Sequence, residues 1–167
     1  MVGAFHLETD ASLNPARTQR TAEGEILTFA GGGVVVRTAG MAPVATYSAE
    51  LGFVATATHA EFDTLARAVR VARATHGATA LRVRSDNLSI VRAVRGEGGF
   101  RDLSLAAWLD VLRREIAPLE RFDLLWSPST HGADRADGLP TADALARSAA
   151  GLGPRSPPRK VRRLGSV

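Results

Sequence analysis

Residues 43–87, PVATYSAELGFVATATHAEFDTLARAVRVARATHGATALRVRSDN, decide the fold, because the spacing of their apolar residues changes twice. Residues 43–57 are rich in β-branched and aromatic side chains, which suit a pleated, half-buried strand. From Thr58 the period lengthens: Glu61, Leu65, Ala68, Val69 and Ala72 recur at helical spacing, and the run stops at Gly77, a residue suited to a left-handed C-cap. Residues 79–85, TALRVRS, read as a strand again. A strand reached through a helix is the arrangement that parallel pairing requires.

Towards the amino terminus, residues 4–9 (AFHLET) alternate apolar and polar and stop at the turn-forming stretch Asp10–Pro15. Residues 26–38 (ILTFAGGGVVVRT) form the next strand, separated from residues 43–57 by the Gly40 turn, so the opening predicts a three-stranded antiparallel meander. Gly31–Gly33 lack the following Gly-Lys-Ser/Thr of a phosphate loop and are read as a bulge or a flexible strand entry. Towards the carboxyl terminus come a short helix at 87–95, a longer amphipathic one at 102–117, a strand at 122–127 (FDLLWS) and a last helix at 141–150. The order βββαβααβα predicts an α/β fold: a five-stranded mixed sheet, three strands antiparallel and the rest parallel, flanked by helices.

At 167 residues, 45% hydrophobic and 23% charged, the chain has room for one globular domain, assigned to residues 1–150. Residues 151–167 carry Arg155, Arg159, Lys160, Arg162 and Arg163 without an acid and without periodicity, and read as a basic, disordered tail. Removing these five from the 21 basic residues leaves 16 against 17 acids, so the formal charge of +4 is a property of the tail. With no cysteine, any metal must be held by oxygen or imidazole. Acids at Glu8 and Asp10 interrupt the amino terminus before any signal-like apolar region, and no run of about 18 apolar residues occurs. The expectation is a soluble, cytoplasmic monomer.

Four acids stand near element boundaries, and each has a local explanation. Asp10 suits a turn before Asn14-Pro15; Glu61 follows Thr58 at capping-box spacing; Asp86 sits at the cap of the short helix; Asp143 lies in the first turn of the last helix, where acids complement the dipole. The local explanations leave the joint pattern unexplained. Asp10-Ala11-Ser12 with Asn14-Pro15, Thr46-Tyr47-Ser48-Ala49, Ala60-Glu61-Phe62 opening a helix, Val83-Arg84-Ser85-Asp86-Asn87 closing a strand, Trp126, His131, and Ala142-Asp143-Ala144-Leu145-Ala146-Arg147 occur in that order across residues 4–150. In that set the chain resembles the type 1 ribonuclease H family. With only two helices between Asp86 and Trp126, it is similar to the branch that lacks a basic protrusion.

The resemblance implies a ribonuclease H-like fold and an endonuclease that cuts the RNA strand of RNA/DNA hybrids with two Mg2+ ions, Mn2+ being an alternative. It implies that Asp10, Glu61, Asp86 and Asp143 are catalytic metal ligands: Asp10 shared by both ions, Glu61 and Asp86 on the leaving-group side, Asp143 on the side of the attacking water. Hard cations of this kind take oxygen ligands, which is why carboxylates are needed. His131, in the loop SPSTHGADRADGLP, would assist proton transfer and product departure. Ser12, Asn14 and Asn87 are the candidate substrate contacts, Ser12 also supporting Asp10. Ala11 replaces the family's usual glycine, and Thr58-His59 stand where the family often places two asparagines. The same acids on this fold also serve other substrates, such as a DNA junction or a DNA end, and a non-catalytic nucleic-acid-binding module is the third reading.

Overall fold

The computed structural model describes residues 3–128 and 139–154; His131 and the basic residues of the tail lie outside them. The elements are β1 (Ala4–Arg20), β2 (Ile26–Thr38), β3 (Pro43–Val54), α1 (Ala57–His76), β4 (Ala80–Ser85), α2 (Leu88–Val94), α3 (Leu103–Ile116), β5 (Arg121–Trp126) and α4 (Ala142–Ala149). Their order is the expected one. The sheet runs β3-β2-β1-β4-β5, antiparallel from β3 to β1 and parallel from β1 to β5.

Period-two burial builds the central strands. On β4, Leu81, Val83 and Ser85 are buried while Arg82 and Arg84 face outward. Leu7 of β1, Val34 and Val36 of β2 and Leu124 of β5 join Leu81 and Val83 in one core with Phe62, Leu65 and Val69 of α1 and Leu109 and Leu112 of α3. Gly77 closes α1 in the left-handed conformation (φ 63°), its N–H returning to the helix carbonyls.

Two boundaries differ from expectation. β1 does not turn at Asp10 but continues to Arg20, pairing with β2 through Asn14, shifting register, and resuming at Thr18. Pro15 lies within that irregularity, where its missing N–H costs no ladder bond. Helix α1 is capped by Thr56, whose hydroxyl accepts from the His59 N–H, so Thr58 is already helical and the Thr58–Glu61 capping box does not form. Likewise Asn87, not Asp86, caps α2, its side chain accepting from Ser89 and Ile90 N–H.

The glycine run does more than bend a strand. A register shift does fall between Ala30 and Gly31. Beyond it, the run is squeezed from both faces of the sheet. A Cβ on Gly31 would collide with the backbone at Ala146, Ala149 and Ala150, one on Gly33 with the backbone at Ala142 and Ala146, and one on Gly32 with the Thr64 side chain of α1. Only residues without side chains let α4 lie backbone to backbone on β2. Gly33→Ala is therefore expected to cost about 1–3 kcal/mol, the usual range for overpacking, and to lower the melting temperature by several degrees. Gly98→Ala, with open space around its Cβ, is the control. Equal melting temperatures for the two variants would refute the close approach.

Candidate active site

Parallel pairing of β1 with β4 sets Glu8 opposite Arg84, so that Asp10 and Asp86, each two residues further on, emerge side by side. In the antiparallel direction Asp10 lies opposite Gly33, the residue against which Ala142 packs. Asp143 follows Ala142 in the first turn of α4 and is thereby delivered to Asp10. Asn14 fastens the other end of the helix, its Nδ2 donating to the Ala150 carbonyl at 2.9 Å. Trp126 Nε1 donates to the Asp86 carbonyl at 3.2 Å, and Ser127 N–H to the Ser85 carbonyl at 3.0 Å, which ties the end of β5 to the end of β4.

Asp10, Asp86 and Asp143 line one cleft of about 150 Å3, with Glu8, Arg84 and Thr141 among its other walls. Glu61, from α1, is not part of that lining but interacts electrostatically with Asp10 and Asp86. Burial, above all, and then the charges of Asp86 and Asp143 push the Asp10 carboxyl up to about 7, against the Ala11 N–H that donates to its Oδ1 at 2.8 Å. The Glu61 carboxyl is also raised to about 7, first by burial and further by Asp86, while a hydrogen bond from Asn87 pulls the other way. Glu61 Oε2 is buried without a hydrogen-bond partner among the described residues, a costly state for a carboxylate oxygen.

These features fit a hard divalent cation. The donors are all carboxylates, two have their carboxyls raised to about 7 by burial and neighbouring acids, and one has an oxygen that no described residue satisfies. Among the described residues, no three His, Asp or Glu side chains already stand at metal-coordinating distance.

The other candidate residues divide. Asn87 sits at the site: besides capping α2 it reaches Thr58 Oγ1 at 3.4 Å and bonds Glu61. Ser12 is half-buried on β1, opposite Gly31. Asn14 is buried with both amide functions engaged, by Ala150 O and by Ala16 N–H, so it holds α4 in place instead of facing a substrate. His59 also turns inward: its Nδ1 meets Thr56 Oγ1 at 2.8 Å and its Nε2 meets Ser104 Oγ at 2.7 Å, joining the starts of α1 and α3. Sequence reasoning missed the part played by Gly31 and Gly33 in placing Asp143; their position opposite Ser12 and Asp10 was the available signal.

The raised carboxyls have a consequence for stability. Between the ordinary carboxylate range and about pH 7 the folded protein binds more protons than the unfolded chain, so stability without metal falls as pH rises through that window and levels off above it. Asp10→Asn, which cannot ionise, removes Asp10's share. In EDTA the variant should melt above the unaltered protein at pH 8, and the gap should shrink at pH 5. A gap that is the same at both pH values would contradict the raised Asp10 carboxyl.

The comparisons with known proteins fit this geometry. A model of the reverse transcriptase-like family matches residues 5–131, well over half of the chain. No curated protein matches it. Among solved structures, RNase H1 from the halophilic archaeon Halobacterium salinarum superposes with a TM-score of 0.71 at 22% identity, covering 89% of this chain and 98% of that one. The N-terminal RNase H domain of Rv2228c from Mycobacterium tuberculosis gives 0.70 at 21% identity, over 89% and 94% of the two chains. LC11-RNase H1, whose structure was solved in complex with an RNA/DNA hybrid, gives 0.70 at 19% identity, over 88% and 96%. The family match over most of the chain shows that it belongs to the reverse transcriptase-like family, and at these identities the solved structures show that it has the ribonuclease H fold.

Proposed function

We propose that this protein is an endoribonuclease that hydrolyses the RNA strand of RNA/DNA hybrids, with Asp10, Glu61, Asp86 and Asp143 holding two divalent ions. The observation that carries the reading is the coupling of Asp10 to all three other acids around one cleft. A purely structural role gives no reason to gather three carboxylates around Asp10, where they raise the cost of ionising it. The type of substrate follows from the fold and from LC11-RNase H1, a protein of the same fold seen on a hybrid.

When bound, Mg2+ (or Mn2+) supplies the Lewis-acid chemistry of an in-line phosphodiester displacement, activating water and stabilising the leaving oxygen. The protein's own residues prepare for it. Asp10 and Glu61 must lose their protons to act as ligands, so activity should rise with pH through about 7. Asn87 holds Glu61 and caps α2, linking the β4 end of the site to α1. Ser12 and Asn87 are the proposed contacts to the RNA strand. His131 is proposed to assist proton transfer and product release, and the basic tail beyond residue 150 to add sequence-independent contacts to phosphates, the catalytic domain being residues 1–150. Among the described residues no helix is long and apolar enough to cross a membrane. A cytoplasmic monomer is part of the proposal.

The test is incubation of the full chain with labelled RNA/DNA, RNA/RNA and DNA/DNA duplexes in Mg2+, Mn2+ or EDTA. Cutting should be confined to the RNA strand of the hybrid and should vanish in EDTA. Asp10→Asn and Glu61→Gln should each slow it by about a hundredfold or more, beyond what loss of a supporting residue typically costs, with the fold retained. Cleavage of the DNA duplex in preference to the hybrid would favour the alternative nuclease reading. Binding without cleavage of any duplex would favour the non-catalytic module.

A further inference from the structure

We propose that Arg84 binds the phosphate adjacent to the scissile one on the cleaved strand, fixing the register of the substrate in the cleft. The inference deepens the hybrid-nuclease reading and rests on it. Arg84 lies two residues before Asp86, on the outward face of β4, and forms part of the wall of the cleft that Asp10, Asp86 and Asp143 share. Two residues along a strand span about 6.7 Å, a step comparable to that between successive phosphates of one nucleic-acid strand.

Among the described residues no carboxylate pairs with Arg84. Its neighbour in register, Glu8, reaches across the other way to Arg37, 3.7 Å off, and Arg82, one repeat behind on the same face, is directed to Asp123, also at 3.7 Å. Among the described residues Arg84 itself makes no ion pair, and its side chain is exposed. Nor does it hold down the Asp10 or Glu61 carboxyl: the influences on these two are burial, neighbouring carboxylates, the Ala11 N–H and Asn87, with no arginine among them. An exposed guanidinium on the wall of the carboxylate cleft has the charge, the planar donor fork and the position for a phosphate that arrives with the substrate.

The experiment compares the unaltered full chain with Arg84→Ala and Arg84→Lys on a labelled RNA/DNA hybrid in Mg2+, with KM and kcat determined at several salt concentrations. Because the side chain is exposed, melting temperatures should be unchanged. Arg84→Ala should raise KM by about three- to thirtyfold, more than it lowers kcat, and should flatten the dependence of log(1/KM) on log salt by about 0.7–0.9, the signature of one lost phosphate contact. Arg84→Lys, which keeps the charge but loses the fork, should restore the salt slope and only part of the affinity. A structural role would not move the salt slope. Unchanged KM and slope in Arg84→Ala, with the unaltered protein active, overturns the inference and leaves the nuclease reading standing. An unaltered protein that neither binds nor cuts the hybrid overturns both.

Discussion

The seating of α4 on Gly31 and Gly33 of β2 is the contact on which the site depends. Two strands can bring Asp10 and Asp86 together through register alone, because β1 and β4 are parallel neighbours. Asp143 comes from the far end of the chain and has no such partner. It arrives because β2 presents backbone without side chains at the residue opposite Asp10, so the first turn of α4 can lie directly on the sheet. Asn14, buried and bonded to Ala150, fixes the end of the same helix. A helix held off by even one methyl group would carry its carboxylate away from the other three.

That convergence has an electrostatic cost which the surrounding fold must meet. Burial and neighbouring acids raise the Asp10 and Glu61 carboxyls to about 7, and one oxygen of Glu61 is left buried and unsatisfied among the described residues. The interactions around the site resist relaxation. Trp126 and Ser127 bind the end of β4 from β5, Asn87 joins α2 to Glu61, and the Thr56–His59–Ser104 chain joins the start of α1 to α3. Strain of this kind is stable only when several independent contacts hold each member in place. A divalent cation would repay it by giving the carboxylates the partner that the protein withholds.

Much of this was legible in the sequence, and for identifiable reasons. The order of all nine elements followed from changes of apolar period, and Gly77 marked the end of α1 because only a left-handed residue closes that helix. The errors fell where one residue type serves two local structures. Asp10–Pro15 has the composition of a turn, yet it continues β1, because Asn14 spends its amide on a helix 136 residues away and Pro15 falls at an irregularity. Thr56 and Thr58 both stand ahead of α1, and only the backbone conformation distinguishes the cap from the first turn. Gly31–Gly33 read as a bulge or a flexible strand entry, and a register shift does fall at Ala30/Gly31, but their further use is close approach, a property of partners distant in sequence. Asn14 shows the same limit: a polar residue near the cleft can face outward or toward the scaffold, and tertiary contacts alone decide which.

The central claim is that the four acids form one cation site whose ligands must give up protons. Calorimetric titration of Mg2+ or Mn2+ into the full chain at pH 6.5, repeated in two buffers of different ionisation enthalpy, tests it most directly. The account predicts saturable binding accompanied by proton release, because carboxyls with values near 7 are partly protonated at that pH, and less release at pH 8.5. Binding with no proton release at either pH, or no saturable binding at all, would contradict it.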